Sequence, residues 1–131
     1  MNFFIHPNFW PEAAKLLRAA DSSQDIELFE ERYEPGTPDD VWLPCLGKQR
    51  PRPFVVSMHD GMIRNAVERR ALKQSGCSFV YFSQGWADIP WEEFRWRFLK
   101  AWPQIVDAAQ ASDRQAVFEV TLHGKPRRVP L

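Results

Sequence analysis

Short apolar runs alternate with amphipathic helical segments along the whole chain, and this alternation constrains the fold more than any other feature. Runs of strand character occupy residues 2–6, 25–29, 54–58, 77–82 and 116–122. Apolar residues recur at helical spacing at residues 11–20, 66–76 and 91–110, and after Pro38. Strands separated by helices imply right-handed crossovers and a parallel sheet covered on both faces. The sequence therefore predicts a three-layer α/β/α fold with a mainly parallel central sheet, and it allows one more short strand.

Composition narrows the classes of protein to consider. A chain of 131 residues is the size of one domain, so a single domain over residues 1–131 is expected. Apolar residues make up 44% of the chain, which predicts a packed globular protein rather than a disordered one. Seventeen basic side chains balance seventeen acidic ones, and this neutrality argues against a strongly electrostatic nucleic-acid binder.

The cysteines and the hydropathy of the chain indicate where in the cell the protein is expected to be. Cys45 and Cys77 have no CxxC neighbour, so neither a metal knuckle nor a redox pair is indicated, and two buried free thiols are expected. The N-terminal residues lack the basic start and long apolar run of a signal peptide. No apolar segment approaches the ~20 residues that span a bilayer. A soluble, cytoplasmic protein without a membrane partner is the expectation.

Polar side chains stand where the predicted strands end. His6 follows the first strand, Asp60 follows the third, and Asp39 and Asp40 begin the helix after the second. Ligands of parallel sheets bind beyond the carboxyl ends of the strands, so these groups converge if strands one and three are neighbours. Clustered carboxylates suit Mg²⁺ or Mn²⁺, which prefer oxygen ligands. A nuclease uses such metals to activate water and to neutralise charge on the phosphate.

Several stretches resemble the PIN-like proteins of the VapC type, the small ribonuclease toxins of bacterial toxin–antitoxin pairs. They read FFIHPNFWPEAAKLLRA, ERYEPGTPDDVWLPCLG, FVVSMHDGMIRNAVERRALKQSG and KAWPQIVDAA. The resemblance implies a compact PIN-like fold and metal-dependent cleavage of RNA by acidic residues. Carried over by position, it gives catalytic roles to Asp60 and to Asp39 or its neighbour Asp40. It also brings in an antitoxin protein and a homodimer as partners.

The position after the first strand departs from that family. The family carries Asp there, in a stretch reading like FFIDENL, whereas this chain has His6 followed by Pro7. Replacing a carboxylate with a neutral imidazole removes about one negative charge and weakens attraction for a hard cation. A site of His6, Asp39 and Asp60 could still hold manganese. Two changes at adjacent acidic positions nevertheless predict weakened or absent nuclease activity.

Each of these residues also has a purely structural interpretation. His6 can be a hydrogen-bonded residue at a strand end without any metal. Thr37, Pro38 and Asp40 match the start of a helix, with Thr37 as the N-cap, so the acidic pair can serve capping and the helix dipole. Asp60 precedes Gly61, a common turn pair in which the carboxylate bonds its own backbone. A catalytically inactive module that binds RNA or a protein partner is therefore the alternative function.

Basic and aromatic side chains supply candidate nucleic-acid contacts. The predicted RNA-binding residues are Lys48, Arg50, Arg52 and Arg64. In the long helix, Phe94, Phe98, Trp102, Ile105 and Ala109 form an apolar stripe that predicts a buried face. Trp96 lies off that stripe between Arg95 and Arg97, which indicates a partner or nucleic-acid surface. Pro103 is expected to kink this helix or to divide it in two.

Overall fold

The computed structural model describes residues 1–131 and has one six-stranded sheet at its centre. The strands are β1 (Asn2–Ile5), β2 (Asp25–Leu28), β3 (Phe54–Ser57), β4 (Ser78–Phe82), β5 (Val117–Val120) and β6 (Pro126–Val129). Their order across the sheet is β2-β1-β3-β4-β5-β6. The first five strands run parallel, and β6 pairs antiparallel with β5. The mainly parallel α/β fold is thereby confirmed, and the additional short strand is β6.

Helices cover both faces of the sheet. They are α1 (Pro11–Ala20), α2 (Asp39–Gly47), α3 (Gly61–Arg64), α4 (Ala66–Ser75) and α5 (Trp91–Gln110), with short 3-10 turns at Phe29–Glu31 and Gln84–Asp88. Alternate strand residues point to opposite faces, so Phe3 and Ile5 pack with α1 and α5 while Phe4 packs with α2 and α4. The result is two hydrophobic clusters separated by the sheet.

The N-cap predicted for the helix after the second strand is wrong, and one of the two alternatives predicted for Pro103 is excluded. Helix α2 begins at Asp39 and has Pro38 as its N-cap, because the Thr37 hydroxyl donates to the Glu34 carbonyl oxygen instead of accepting from the helix. Pro103 does not divide the long helix, since α5 is continuous from Trp91 to Gln110 with Pro103 on its exposed side. The predicted apolar stripe of α5 is buried throughout. Gly76 ends α4 in the left-handed conformation, as its position in the sequence predicts.

Cysteine exposure also differs from expectation. Cys77 is buried, but Cys45 lies on the exposed side of α2, so only one of the two thiols is in the core. None of the five helices combines the length and the apolar character that crossing a bilayer would need. Because β1 and β3 are adjacent, the residues after Ile5 and after Ser57 meet at the carboxyl edge of the sheet.

Candidate functional site

His6 occupies the first position after β1 and is held there by the backbone. Its N–H donates to the Val56 carbonyl oxygen at 2.9 Å, which extends the β1–β3 pairing by one residue. The ring nitrogen Nδ1 accepts the Asn8 backbone N–H at 3.1 Å. A neutral imidazole that accepts at Nδ1 carries its proton on Nε2, and Nε2 faces Asp39 Oδ1 at 3.8 Å. The imidazole is thus fixed with its donor towards the first acidic residue of α2.

Asp39 is the first residue of α2 and the centre of the site. Its Oδ1 accepts the indole N–H of Trp42 at 2.9 Å, and its side chain is only 20% exposed. Burial alone would raise the pKa of the Asp39 carboxyl, but the neighbouring His6 and Glu68 side chains and the hydrogen bond from Trp42 outweigh it, and the pKa is lowered. The position at a helix N-terminus also favours the charged form. Asp39 is therefore the ionised member of the group.

Glu68 is the residue that the sequence interpretation missed. It lies in the first turn of α4, and its carboxyl group lines the same groove as Asp39 and interacts with it. Burial, followed by the adjacent Asp39, raises the pKa of Glu68. Its spacing from Asn65 is that of a capping box, so the sequence alone indicates a capping role for Glu68 and no other. In the structure the Asn65 side chain caps α4 by accepting from Val67 and Glu68, while the Glu68 carboxyl turns to Asp39.

An open groove of about 440 Å³ lies beside this pair of carboxyl groups. It is lined by Pro38, Asp39, Asp40, Asn65, Val67 and Glu68. Asp40 is exposed at the rim of the groove, so of the two neighbouring aspartates it is Asp39 that meets His6 and Glu68. The groove is open, so solvent reaches the carboxyl pair.

Asp60 lies at the carboxyl edge but pairs elsewhere. It is the residue before α3, and its Oδ1 is 3.4 Å from a guanidinium nitrogen of Arg64 one turn later. No group of three or more His, Cys, Asp or Glu side chains is arranged to hold a metal ion. The structure thus brings His6 and Asp39 together and adds Glu68, but it does not assemble His6, Asp39 and Asp60 as one ligand set. The metal and catalytic roles of these residues stay predictions.

Asn8 ties the ends of β1 and β3 together next to the site. Its Oδ1 accepts the Met58 N–H at 3.0 Å, and its Nδ2 donates to the buried Ser57 hydroxyl at 2.9 Å. The same amide nitrogen lies 3.1 Å from Nε2 of His59. These bonds fix the loop that carries His6 relative to the loop that carries Asp60.

The predicted RNA-binding residues are divided between two edges of the sheet. Arg64 lies in α3 at the carboxyl edge, beside Asp60. Lys48, Arg50 and Arg52 precede β3 and therefore lie at the amino edge, away from the groove. Both guanidinium groups there donate to the Gly47 carbonyl oxygen at the end of α2, at 2.8 Å for Arg50 and 3.2 Å for Arg52. That is the position in which cations complement a helix C-terminus.

Comparison with known proteins bears on the N-terminal two thirds of the chain. A family model described as "PIN like domain" matches residues 1–84, which include β1 to β4 and every predicted site residue. No curated protein and no solved structure matches the chain. The match covers more than half of the 131 residues and agrees with the mainly parallel α/β architecture. The chain therefore belongs to the PIN-like domain family.

Proposed function

We propose that this PIN-like protein is a metal-dependent ribonuclease of the VapC toxin type with a weakened active site. The observation that carries the proposal is the paired carboxyl groups of Asp39 and Glu68, half-buried beside an open groove and next to His6. Neighbouring carboxyl groups whose pKa values are shifted in opposite directions are typical of functional sites. Membership of a nuclease-type fold family supports the same interpretation.

The donor chemistry of the groove fits a hard divalent cation. Asp39 and Glu68 offer adjacent oxygen ligands, and Mg²⁺ is commonly held by one or two carboxylates together with waters and substrate phosphates. His6 stands next to this pair, but its Nδ1 accepts the Asn8 N–H and its Nε2 carries the proton, so it would bind a cation only after giving up one of these contacts. When bound, the cation would activate water and neutralise the charge that develops on the phosphate.

Each residue of the group then has a defined task. Asp39 presents an ionised carboxylate that Trp42 orients through its indole N–H. Glu68 must release its proton before its oxygens can act as ligands, because its pKa is raised beside Asp39. His6 contributes no charge while it is neutral, so the site attracts a cation less strongly than one with Asp in that position. Weak activity that improves as pH rises is the consequence.

A second candidate function is a module that binds RNA or a protein partner without cutting RNA. It is favoured by the ion pair between Asp60 and Arg64, which removes one predicted carboxylate from the groove. His6 removes another negative charge from the same edge. For the toxin-type proposal, the partners are an RNA substrate, an antitoxin protein and a second copy of the chain.

RNA cleavage by isosteric variants tests the proposal. Wild type, Asp39→Asn, Asp40→Asn, Glu68→Gln and Asp60→Asn would be assayed on RNA with Mn²⁺ and with Mg²⁺ separately. We expect metal-dependent cleavage by wild type and Asp40→Asn, and loss of it in Asp39→Asn and Glu68→Gln. The result for Asp60→Asn decides whether the Arg64-paired carboxylate takes part.

One further variant separates the two candidate functions. His6→Asp restores the acidic residue of the family and adds a carboxylate next to Asp39. A silent wild type with an active His6→Asp protein would mean an intact nuclease scaffold lacking one charge. Silence of both proteins, with RNA binding retained in EDTA, would support the binding module. Metal-dependent cleavage that persists in both Asp39→Asn and Glu68→Gln would contradict the proposal.

A further inference from the structure

A small cationic pocket lies beside α5, in the part of the chain that follows the family match. Its volume is about 120 Å³, and it is formed between the middle of α5 and the turn that joins β5 to β6. The lining residues are Trp96, Arg97, Lys100, Ala101, Gln104, Leu122, His123 and Gly124. Two of them are formal cations and none is a carboxylate. The pocket therefore selects for negative charge on whatever occupies it.

Trp96 is the single large aromatic side chain that the protein leaves exposed. Its exposed fraction is 51%, whereas Trp42 and Trp86 are fully buried and Trp102 nearly so. The guanidinium carbon of Arg97 lies over the indole at 4.9 Å from its centroid. Arg97 is itself held by Glu93 at 3.3 Å and by the Leu122 carbonyl oxygen at 3.2 Å. An indole ring braced by a fixed cation is a preorganised surface for stacking.

The turn between β5 and β6 is built to approach α5 closely. Gly124 has φ of +86°, a backbone conformation that other residues rarely adopt, and a Cβ there would come within 3.2 Å of Ala101 Cβ. This approach places Leu122 and His123 beside Trp96 and Lys100. Lys100 lies one helical turn after Trp96, on the same side of α5, and its ammonium pairs with no carboxylate within 4 Å.

We propose that this pocket binds single-stranded nucleic acid, with one base stacked on Trp96 and the adjoining phosphate paired with Lys100. The volume is well below the roughly 300 Å³ at which whole small-molecule sites begin, so it suits one flat ring of a longer polymer. Stacking on aromatic side chains beside cations is the usual mode of single-strand binding. The bases of a duplex are already stacked, so their faces cannot reach the indole.

The pocket is placed to extend the site at the carboxyl edge, and in that respect the inference rests on the proposed nuclease function. The turn after β5 emerges at the same edge as His6, because β1, β3, β4 and β5 are parallel. Three strand spacings of about 4.8 Å separate β1 from β5, which makes about 14 Å across the sheet. A single strand that occupies both sites would pass over this edge from the α2/α4 face, where the groove lies, to the α5 face, where the pocket lies.

Binding in EDTA tests the pocket independently of cleavage. The affinity of a labelled single-stranded RNA would be measured by fluorescence anisotropy for wild type, Trp96→Ala, Trp96→Phe and Val41→Ala. Val41 is the matched control, because it is 53% exposed on α2 and outside the pocket. We expect Trp96→Ala to weaken binding by about 5- to 150-fold, the equivalent of about 1–3 kcal/mol of stacking for one base. Trp96→Phe should recover most of the affinity, and Val41→Ala should match wild type.

Further arms separate the competing outcomes. Lys100→Ala should reduce the slope of log affinity against log salt by about 0.7, the value for one phosphate contact on a single strand. Single-stranded DNA should compete with the labelled RNA, and a duplex of the same sequence should compete poorly.

Equal affinities of wild type and Trp96→Ala for the RNA would overturn the proposal. So would a dimer of the wild type that becomes a monomer in Trp96→Ala, since Trp96 would then cover a second copy. Binding that depends on Trp96 without any metal-dependent cleavage would retain the pocket and reject the nuclease.

Discussion

The carboxyl groups of Glu68 and Asp39 meet across the groove between α4 and α2, and their pKa values move in opposite directions. Burial and the charge of Asp39 raise the pKa of Glu68, while the hydrogen bonds that Asp39 receives lower its own pKa. Glu68 therefore holds its proton to a higher pH than an exposed glutamate does. Helix packing, rather than the sequence around either residue, brings the two groups together.

Replacing Glu68 with Gln should stabilise the protein at neutral pH. A carboxyl whose pKa is higher in the folded state binds more protons when folded, so stability falls as pH rises above its ordinary value of 4.5. Gln cannot ionise, and its amide can still donate to Asp39. We expect Glu68→Gln to unfold at a higher temperature than wild type at pH 7, with the difference vanishing below about pH 4.

Thermal unfolding at several pH values checks this expectation. The control is Glu34→Gln, which changes an exposed glutamate outside the groove and should leave the pH dependence of unfolding unaltered. A stability difference between Glu68→Gln and wild type that is the same at pH 7 and below pH 4 would contradict the raised pKa of Glu68. A Glu68→Gln protein that is more stable than wild type but inactive would indicate that Glu68 is retained for function at a cost in stability.

Replacing Trp42 should remove the hydrogen bond that holds the Asp39 carboxylate and raise the pKa of Asp39. Trp42 is fully buried, and its N–H donates to Asp39 Oδ1 at 2.9 Å. In Trp42→Phe that bond is lost, so the pKa of Asp39 should rise towards its ordinary value and the free energy of unfolding should fall by about 2 kcal/mol. Carboxyl chemical shifts in an NMR titration report the pKa, and denaturant unfolding reports the stability.

Trp86 provides the matched control for this experiment. It is equally buried, but its indole nitrogen has no hydrogen-bond partner. Trp86→Phe therefore changes a similar volume without removing a hydrogen bond, and it should leave the titration of Asp39 unaltered. If Trp42→Phe also left that titration unaltered, the indole would have no part in holding the carboxylate.

Local sequence pattern predicted most of the fold because the strands are buried on both faces. Phe54–Ser57 and Ser78–Phe82 are nearly continuous apolar runs, as central parallel strands must be when helices cover both sides. Proline misled the sequence interpretation in two places, since Pro38 caps α2 and Pro103 lies within α5. At Pro103 tertiary packing retains a helix that proline in its interior disfavours, whereas Pro38 only shifts the start of α2 by one residue.

The candidate site was only partly predictable, because its geometry depends on packing between distant helices. His6 is predictable because it follows a strand end, a rule that topology supplies, and Asp39 because it begins the helix after β2 and matches an acidic position of the family. Glu68 was missed because its spacing from Asn65 matches a helix cap, and the cap is in fact formed. Arg50 and Arg52 lie near Asp39 in sequence, but the length of α2 carries them to the opposite edge of the sheet.

The contact between α2 and α4 should be intolerant of a single methyl group. A Cβ on Gly47 would clash with the Ser75 carbonyl oxygen, and backbone atoms cannot move aside as a flexible side chain can. Gly47→Ala gains up to about 1 kcal/mol of helix propensity, but overpacking against backbone costs about 1–3 kcal/mol or more. We expect net destabilisation, together with a weaker coupling between Asp39 and Glu68.

Denaturant unfolding of Gly47→Ala against Gly85→Ala separates the steric effect from the loss of glycine. At Gly85 the nearest atom to an added Cβ is a Leu122 methyl at 3.5 Å, which is ordinary contact. Gly85→Ala should therefore stay within about 0.5 kcal/mol of wild type. If Gly47→Ala were equally neutral, the two helices would have room to separate, and the close packing that brings Glu68 to Asp39 would not be required.

The hydrogen bond between Trp102 of α5 and Asp21 at the end of α1 should stabilise the folded state in a pH-dependent way. The indole N–H of Trp102 donates to Asp21 Oδ2 at 3.0 Å, and Trp102 is almost fully buried. Hydrogen bonds from Ser23 and then Trp102 lower the pKa of Asp21. A carboxyl with a lowered pKa stabilises the folded state at pH values above its ordinary pKa of 3.8, and this contribution is lost as pH falls through the pKa of the folded state.

Asp21→Ala leaves the buried indole of Trp102 without an acceptor, so we expect the free energy of unfolding to fall by about 1 kcal/mol at pH 7, and we expect this loss to shrink towards pH 2. Asp113→Ala, at a carboxylate whose side chain is 92% exposed, should show neither effect. An Asp21→Ala deficit that is the same at pH 7 and pH 2 would mean that Asp21 contributes through geometry alone and not through its charge.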